Sequence, residues 1–199
     1  MAANGARKMI EVSETLPPHL QEYLARERYI DMEKATPFLK CISYEVRGRR
    51  YQAIGFANLL GGYELRDNHS FKGTIAPKDI TPIFTDKIIN QIQPTCVFEG
   101  FMDFLSAATL GIVGNGDSLV LNSVSNVEKA MKHLDAYGRI NCFLDRDEAG
   151  RRTLDVLGKR YGRRACDRSA LYDGCKDLNE YLQLTTKKQK NNHLKIEEQ

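Results

Sequence analysis

Apolar residues along the chain shift from helical to strand-like spacing and back, and these shifts mark out two units between two polar ends. Residues 1–16 carry no periodic pattern, which predicts a flexible tail. After Pro17-Pro18, Leu20, Tyr23 and Leu24 recur at spacings of three and four, the signature of a short helix. The period then falls to two in residues 41–47 and 50–56, on either side of Gly48. That predicts a β-hairpin with Arg47, Arg49 and Arg50 at its tip. A further β-like piece, GYELR, follows Gly61-Gly62 and ends by Phe71-Lys72-Gly73. Residues 17–90 are expected to form a small α+β subdomain.

Beyond residue 91 the pattern alternates between strand and helix. TCVFEG, GIVG, SLVLNS, RINCFLD and RRACDRS are strand-like, while FMDFLSAATLG, SNVEKAMKHLDAYG, EAGRRTLDVLGKRYG and LNEYLQL have helical spacing. Ser125 with Glu128 three residues later predicts a capping box on the second of these helices. Such alternation implies an α/β unit over residues 91–184, a mostly parallel sheet with helices on both faces. The charged end from Thr185 onward, residues 185–199, is expected to be a second flexible tail.

Composition narrows the choice of function only slightly. A chain of 199 residues that is 42% hydrophobic can build one core and a companion subdomain. Its 29 Lys and Arg against 26 Asp and Glu leave a net charge of +3, too small to imply a polyanionic partner without local clusters. The five cysteines are scattered without a C-x-x-C pair and read as reduced thiols, and the four histidines are too dispersed for a local zinc site. No apolar run approaches the roughly 20 residues of a membrane span, and the N-terminal residues lack a signal-peptide core. A soluble, cytoplasmic protein without a membrane partner is expected.

The candidate chemistry lies in acids placed after predicted strands. In parallel sheets ligands bind beyond the carboxyl ends of the strands. Glu99 follows Cys96-Val97-Phe98, and Asp145 and Asp147 follow Cys142-Phe143-Leu144 at a spacing of two, which in extended chain turns both side chains to one side. Converging carboxylates bind protons or a compensating cation, and oxygen ligands without His or Cys favour Mg²⁺ or Mn²⁺. Each acid taken singly could instead cap the helix that follows it. Between Arg146 and Arg164 seven cations stand against three acids. Arg146, Arg151 and Arg152 are candidates for contact with a phosphate backbone, as are Arg47, Arg49 and Arg50. A solvated face is the alternative for such a run.

Phe98-Glu99-Gly100-Phe101-Met102-Asp103, then CFLDRDEAGRR from Cys142, then Lys176-Asp177-Leu178-Asn179-Glu180, together resemble the Toprim domain of bacterial primases, topoisomerases and some nucleases. The resemblance covers roughly residues 93–184. It implies catalytic and metal-binding roles for Glu99, Asp145 and Asp147, further metal-binding roles for Asp103 and Asp177, and nucleic-acid contact at Lys176. Glu180 stands where the family has Asp. Residues 54–73 resemble the N-terminal subdomain of primase-like Toprim proteins of plasmids and other mobile elements, and Tyr23 to Ile30 resemble a Y-L-x-x-R-G segment in which Tyr29 replaces Gly. The expected activity is Mg²⁺- or Mn²⁺-dependent nucleotidyl transfer, making RNA primers from nucleoside triphosphates on a single-stranded DNA template. A helicase or a separate zinc-binding module is an expected partner, since neither element is recognised in the chain. A Toprim nuclease and a non-catalytic nucleic-acid-binding accessory module are the alternatives.

Overall fold

The computed structural model describes residues 7–85, 93–114 and 116–197. Its first part contains β1 (Lys8–Ser13), α1 (Pro18–Glu22, continued by a π-helical turn to Glu27), α2 (Met32–Ala35), β2 (Leu39–Val46), β3 (Arg49–Ala57), β4 (Tyr63–Arg66) and β5 (Lys72–Ile75). These five strands form one antiparallel sheet in sequential order. The predicted hairpin is β2–β3. Its two turn residues, Arg47 and Gly48, have φ of 51° and 77°, the left-handed pair that a two-residue turn between twisted strands requires.

The strand β1 lies where a tail was expected. Its apolar residues Met9, Ile10 and Val12 do not alternate, because the register against β2 shifts between Met9 and Glu11. A bulge of this kind hides a strand from a period-two reading. Its side chains also stay exposed, so it is held mainly by backbone pairing with β2.

The second part contains β6 (Thr81–Ile83), β7 (Pro94–Phe98), α3 (Phe101–Thr109), β8 (Ser118–Val120), α4 (Val127–Leu134), β9 (Arg139–Phe143), α5 (Glu148–Tyr161), β10 (Ala165–Asp167) and α6 (Leu178–Glu197). The sheet order is β10-β9-β7-β8-β6, parallel throughout except that β6 runs antiparallel to β8. The expected mostly parallel sheet is therefore present. Alternation along its strands serves two helical layers, as a buried parallel sheet requires. Phe98, Val120 and Phe143 join the core with α3 and α6, while Val97, Leu119 and Cys142 join the core with α4 and α5.

Several local expectations give way to different structure. Residues Thr81–Ile83, placed by sequence in the first subdomain, supply the edge strand of the second sheet. The expected boundary at residues 90/91 lies outside the described residues. GIVG, at 111–114, is not a strand but the turn leaving α3, with Gly111 and Gly114 at φ of 73° and 52°. The capping box at Ser125 and Glu128 does not form. Ser123 caps a 3₁₀ turn at Val124–Asn126 instead, and α4 starts only at Val127. Local side-chain bonds from Ser compete in this way with a helix start. The helix α6 continues to Glu197, through most of the expected C-terminal tail, and its first turns are anchored by buried Leu178 and Leu182.

One shared core joins the two parts. Leu20, Leu24 and Phe56 from the first pack with Phe101, Phe104 and Leu105 from the second, and the Phe56 and Phe101 rings stack at 5.2 Å. Each such side chain contributes about 1.5–3 kcal/mol on burial. The contact fixes the inner face of the antiparallel sheet over the carboxyl ends of the parallel strands.

Candidate metal centre

Four acids meet at those strand ends. Glu99 leaves β7, Asp103 sits in the first turn of α3, Asp145 follows β9, and Asp177 precedes α6. One carboxylate oxygen from each of Asp103, Asp145 and Asp177 lies within 4.8 Å of the other two. Glu99 stands beside them, its Oε2 accepting from the Asp145 backbone N–H at 3.4 Å.

Burial and mutual repulsion set the energetics of this cluster. Asp103 is buried, and burial together with the Asp177 and Asp145 carboxylates raises its pKa well above the ordinary range. Burial and Asp177 raise Asp145 likewise. Burial, reinforced by Asp145, raises Glu99 to about 7. Lys176 compensates in part, with its Nζ 3.3 Å from Asp145 Oδ2. Three clustered carboxylates with no His or Cys among them suit a hard divalent cation, which would offset the burial and mutual repulsion that raise these pKa values.

Asp147 stands apart from this group. It caps α5, its Oδ1 accepting from the Gly150 N–H at 3.0 Å, and these backbone bonds hold its pKa below the usual value. It lies outside the three-acid group. Gly150 is needed at its own position, because a Cβ there would come within 2.0 Å of the Asp145 carbonyl oxygen. The helix α5 thus rests directly on the backbone that presents Asp145.

Asp103 is held by a network that reaches the first part of the chain. The Asn179 N–H donates to Asp103 Oδ1 at 3.3 Å, and Asn179 Nδ2 donates to Ser106 Oγ at 2.9 Å and to the Arg28 carbonyl at 3.2 Å. The Arg28 guanidinium in turn donates to Asn179 Oδ1 and Tyr23 Oη. The residue after Arg28, Tyr29, has φ of 57°, which accounts for a Gly being expected there.

Opposite the acids stands a basic wall that the sequence reading missed. A cavity of about 620 Å³ lies between the two parts, with Glu99, Asp103, Asp145 and Asp177 on one side and Arg7, Arg28, Arg66, Lys72 and Lys78 also lining it. Alternation brings Arg66 of β4 to the same face as Phe56, and the cross-strand pair Arg66–Lys72 sets Lys72 beside it. Arg66 is buried enough to lower its pKa, and Lys72 is lowered first by Arg66 and then by burial. Both feel the carboxylates of Asp177.

Of the cations expected from sequence, Lys176 stands at the acid cluster and the others are elsewhere. Arg146 pairs with Asp173, Arg152 pairs with Glu148, and Arg151 donates to the Arg146 carbonyl. Arg47, Arg49 and Arg50 sit at the β2–β3 turn, away from the cavity lining.

Comparison with known proteins bears on this arrangement. The profile of a Toprim-like family matches residues 96–182, and that of a domain family of unknown function matches residues 9–76. Residues 96–182 form a Toprim domain. It contains all four acids of the cluster, and the antiparallel sheet before it falls within the other match. Among solved structures, the primase fragment of the bacteriophage T7 primase-helicase protein is similar with a TM-score of 0.57 and 21% identity, over 77% of this chain. The chain spans 65% of that fragment. A structure of bacteriophage T7 lagging-strand DNA polymerase, interacting with primase domains bound to an RNA/DNA hybrid and dTTP, is similar with a TM-score of 0.55 and 22% identity. That match covers 77% of this chain and 81% of the other. No curated protein sequence matches. The likeness is one of fold, over 77% of the chain. No helix among the described residues is long and apolar enough to cross a membrane.

Proposed function

We propose that the chain catalyses primase-type nucleotidyl transfer, joining nucleoside triphosphates into an RNA primer on a single-stranded DNA template. The observation that carries this reading is the cavity itself, in which Asp103, Asp145 and Asp177 gather on one side and Arg28, Arg66 and Lys72 line the other. A phosphate chain is the ligand that satisfies both sides, through a divalent cation on the acids and direct contact with the cations. The cavity volume of about 620 Å³ is within the range of small-ligand sites.

Asp103, Asp145 and Asp177 would hold Mg²⁺ or Mn²⁺, which when bound supplies charge neutralisation at the phosphoryl oxygens. Arg66 and Lys72 orient the triphosphate and offset the charge that builds on the leaving pyrophosphate. Glu99, with a pKa of about 7, is suited to accept the proton of the attacking 3′-hydroxyl. Asn179 keeps the Asp103 carboxylate turned toward its partners. The likeness to the primase fragment of a primase-helicase protein supports a helicase as a partner.

The test is extension of a short ribonucleotide primer annealed to a DNA template, with labelled nucleotides and Mg²⁺ or Mn²⁺, by the intact chain and by Asp145→Asn. Supplying the primer removes dependence on a separate initiation module. Labelled products from the intact chain alone support transfer. Template shortening without incorporation would shift the assignment to a nuclease, and binding without either reaction to an accessory module.

A further inference from the structure

The outer face of the antiparallel sheet, turned away from the cavity, carries an aromatic stack that the proposed chemistry does not use. Tyr44 on β2 and Tyr51 on β3 are direct cross-strand partners, and their rings stack at 5.6 Å and 23°. Phe71, in the turn before β5, stacks on Tyr44 at 6.1 Å and 20°. The Arg7 guanidinium covers the Phe71 ring at 5.0 Å, and Arg7 also lines the cavity. The row therefore begins at the cavity mouth and ends near the β2–β3 turn.

Its two ends differ. A guanidinium closes the Phe71 end, whereas Tyr51 at the other end is 43% exposed. Arg49, two residues before Tyr51 on the same strand, lies on the same face, opposite Val46. It is exposed and makes no ion pair among the described residues. Asp67, which with Glu11 lines the same surface pocket as Tyr51, accepts from the backbone N–H groups of His69 and Phe71, and so shapes the turn that carries the Phe71 ring.

We propose that Tyr51 and Arg49 form a stacking seat for a single-stranded nucleic acid leaving the cavity, one base capping the Tyr51 ring and Arg49 holding a flanking phosphate. The inference rests on the reading of the cavity as the site of nucleotidyl transfer on a single-stranded template. An exposed aromatic ring on a sheet beside a cation is the arrangement that binds single strands without regard to sequence, because every base offers a π-face. The polyanionic partner is favoured by charge, with Arg7 and Lys72 at the cavity end and Arg49 at the turn. Continuity through Arg7 gives the strand a path from one to the other.

The experiment measures binding of fluorescein-labelled oligothymidylates of about 4 and about 16 nucleotides, lengths that bracket ordinary single-strand sites. The intact chain is compared with Tyr51→Ala, Tyr51→Phe and Arg66→Ala/Lys72→Ala. The seat predicts that Tyr51→Ala weakens the long probe about five-fold or more, leaves the short one unchanged, and is rescued by Tyr51→Phe. A long probe carrying 5-iodouracil should crosslink to Tyr51. Equal affinity of Tyr51→Ala and intact chain for the long probe overturns the seat while leaving the cavity reading intact. Unchanged binding of both probes by Arg66→Ala/Lys72→Ala overturns the cavity reading on which the seat depends. Dissociation of a self-associated chain by Tyr51→Ala, without a change in binding, would assign this face to a second copy and overturn the proposal.

Discussion

Replacing Asp103 by Asn tests whether the acid cluster is organised for a cation or for the fold alone. Two unit charges at the 4.8 Å limit of the cluster repel by about 3.5 kcal/mol at an effective dielectric constant of about 20. Asp103 has two such neighbours, Asp145 and Asp177. Much of that repulsion is relieved by protonation, since the Asp103 pKa lies well above its ordinary value. What remains for Asn to remove is about 1–3 kcal/mol, of the size expected when an uncompensated buried charge is deleted. Asn keeps an Oδ1 to accept the Asn179 N–H, so the network that holds α6 against α3 survives. For a chain of this length, about 2–4 °C per kcal/mol translates the gain into a melting temperature higher by about 2–12 °C in EDTA. Saturating Mg²⁺ should act unequally on the two proteins. The intact chain gains about 2.7 kcal/mol at a hundred-fold excess over the dissociation constant, and Asp103→Asn gains much less. Thermal melts by circular dichroism, with EDTA and across a Mg²⁺ titration, give both numbers. A lower melting temperature for Asp103→Asn in EDTA, with an undiminished response to Mg²⁺, would refute the reasoning and make Asp103 a structural acceptor.

Three further outcomes follow from the same geometry. Asp147→Ala should cost about 1 kcal/mol by loss of the α5 cap, visible in urea denaturation, and should leave the Mg²⁺ response in place. Loss of that response would make Asp147 a ligand. Gly150→Ala should cost about 1–3 kcal/mol and weaken Mg²⁺ binding by calorimetry, because the new Cβ displaces the Asp145 backbone; unchanged stability contradicts the close approach. In EDTA, stability should fall as pH rises from about 4.5 to about 7, since the folded state holds the Glu99 proton more tightly than the unfolded chain does. Glu99→Gln should flatten that segment of the melting profile, and an unaltered slope assigns it to other groups.

Legibility in the sequence followed the range of the interactions involved. The alternation of strands and helices beyond residue 93 is local, and it led directly to the parallel sheet. Glu99 and Asp145 were visible because each follows an apolar run at a strand end. The spacing of two did not reveal that Asp147 caps α5, which the bond from the Gly150 N–H shows. Asp103 and Asp177 entered through family resemblance, because nothing local says that α3 and α6 start beside each other. Arg66 and Lys72 went unnoticed as isolated charges in short strands. The signal that could have found them is parity, since Arg66 shares a strand face with Glu64, and Phe56 lies opposite Glu64. β1 escaped because its bulge disrupts the alternation by which strands are recognised.

The cavity has a further consequence for how such a protein can be taken apart or reassembled. Its anionic side belongs to one recognisable family and most of its cationic side to another, with Arg28 bound to Asn179 across the seam. Neither segment owns a complete site. Recombination that exchanged one half for a distant homologue would have to preserve the seam as well as both folds.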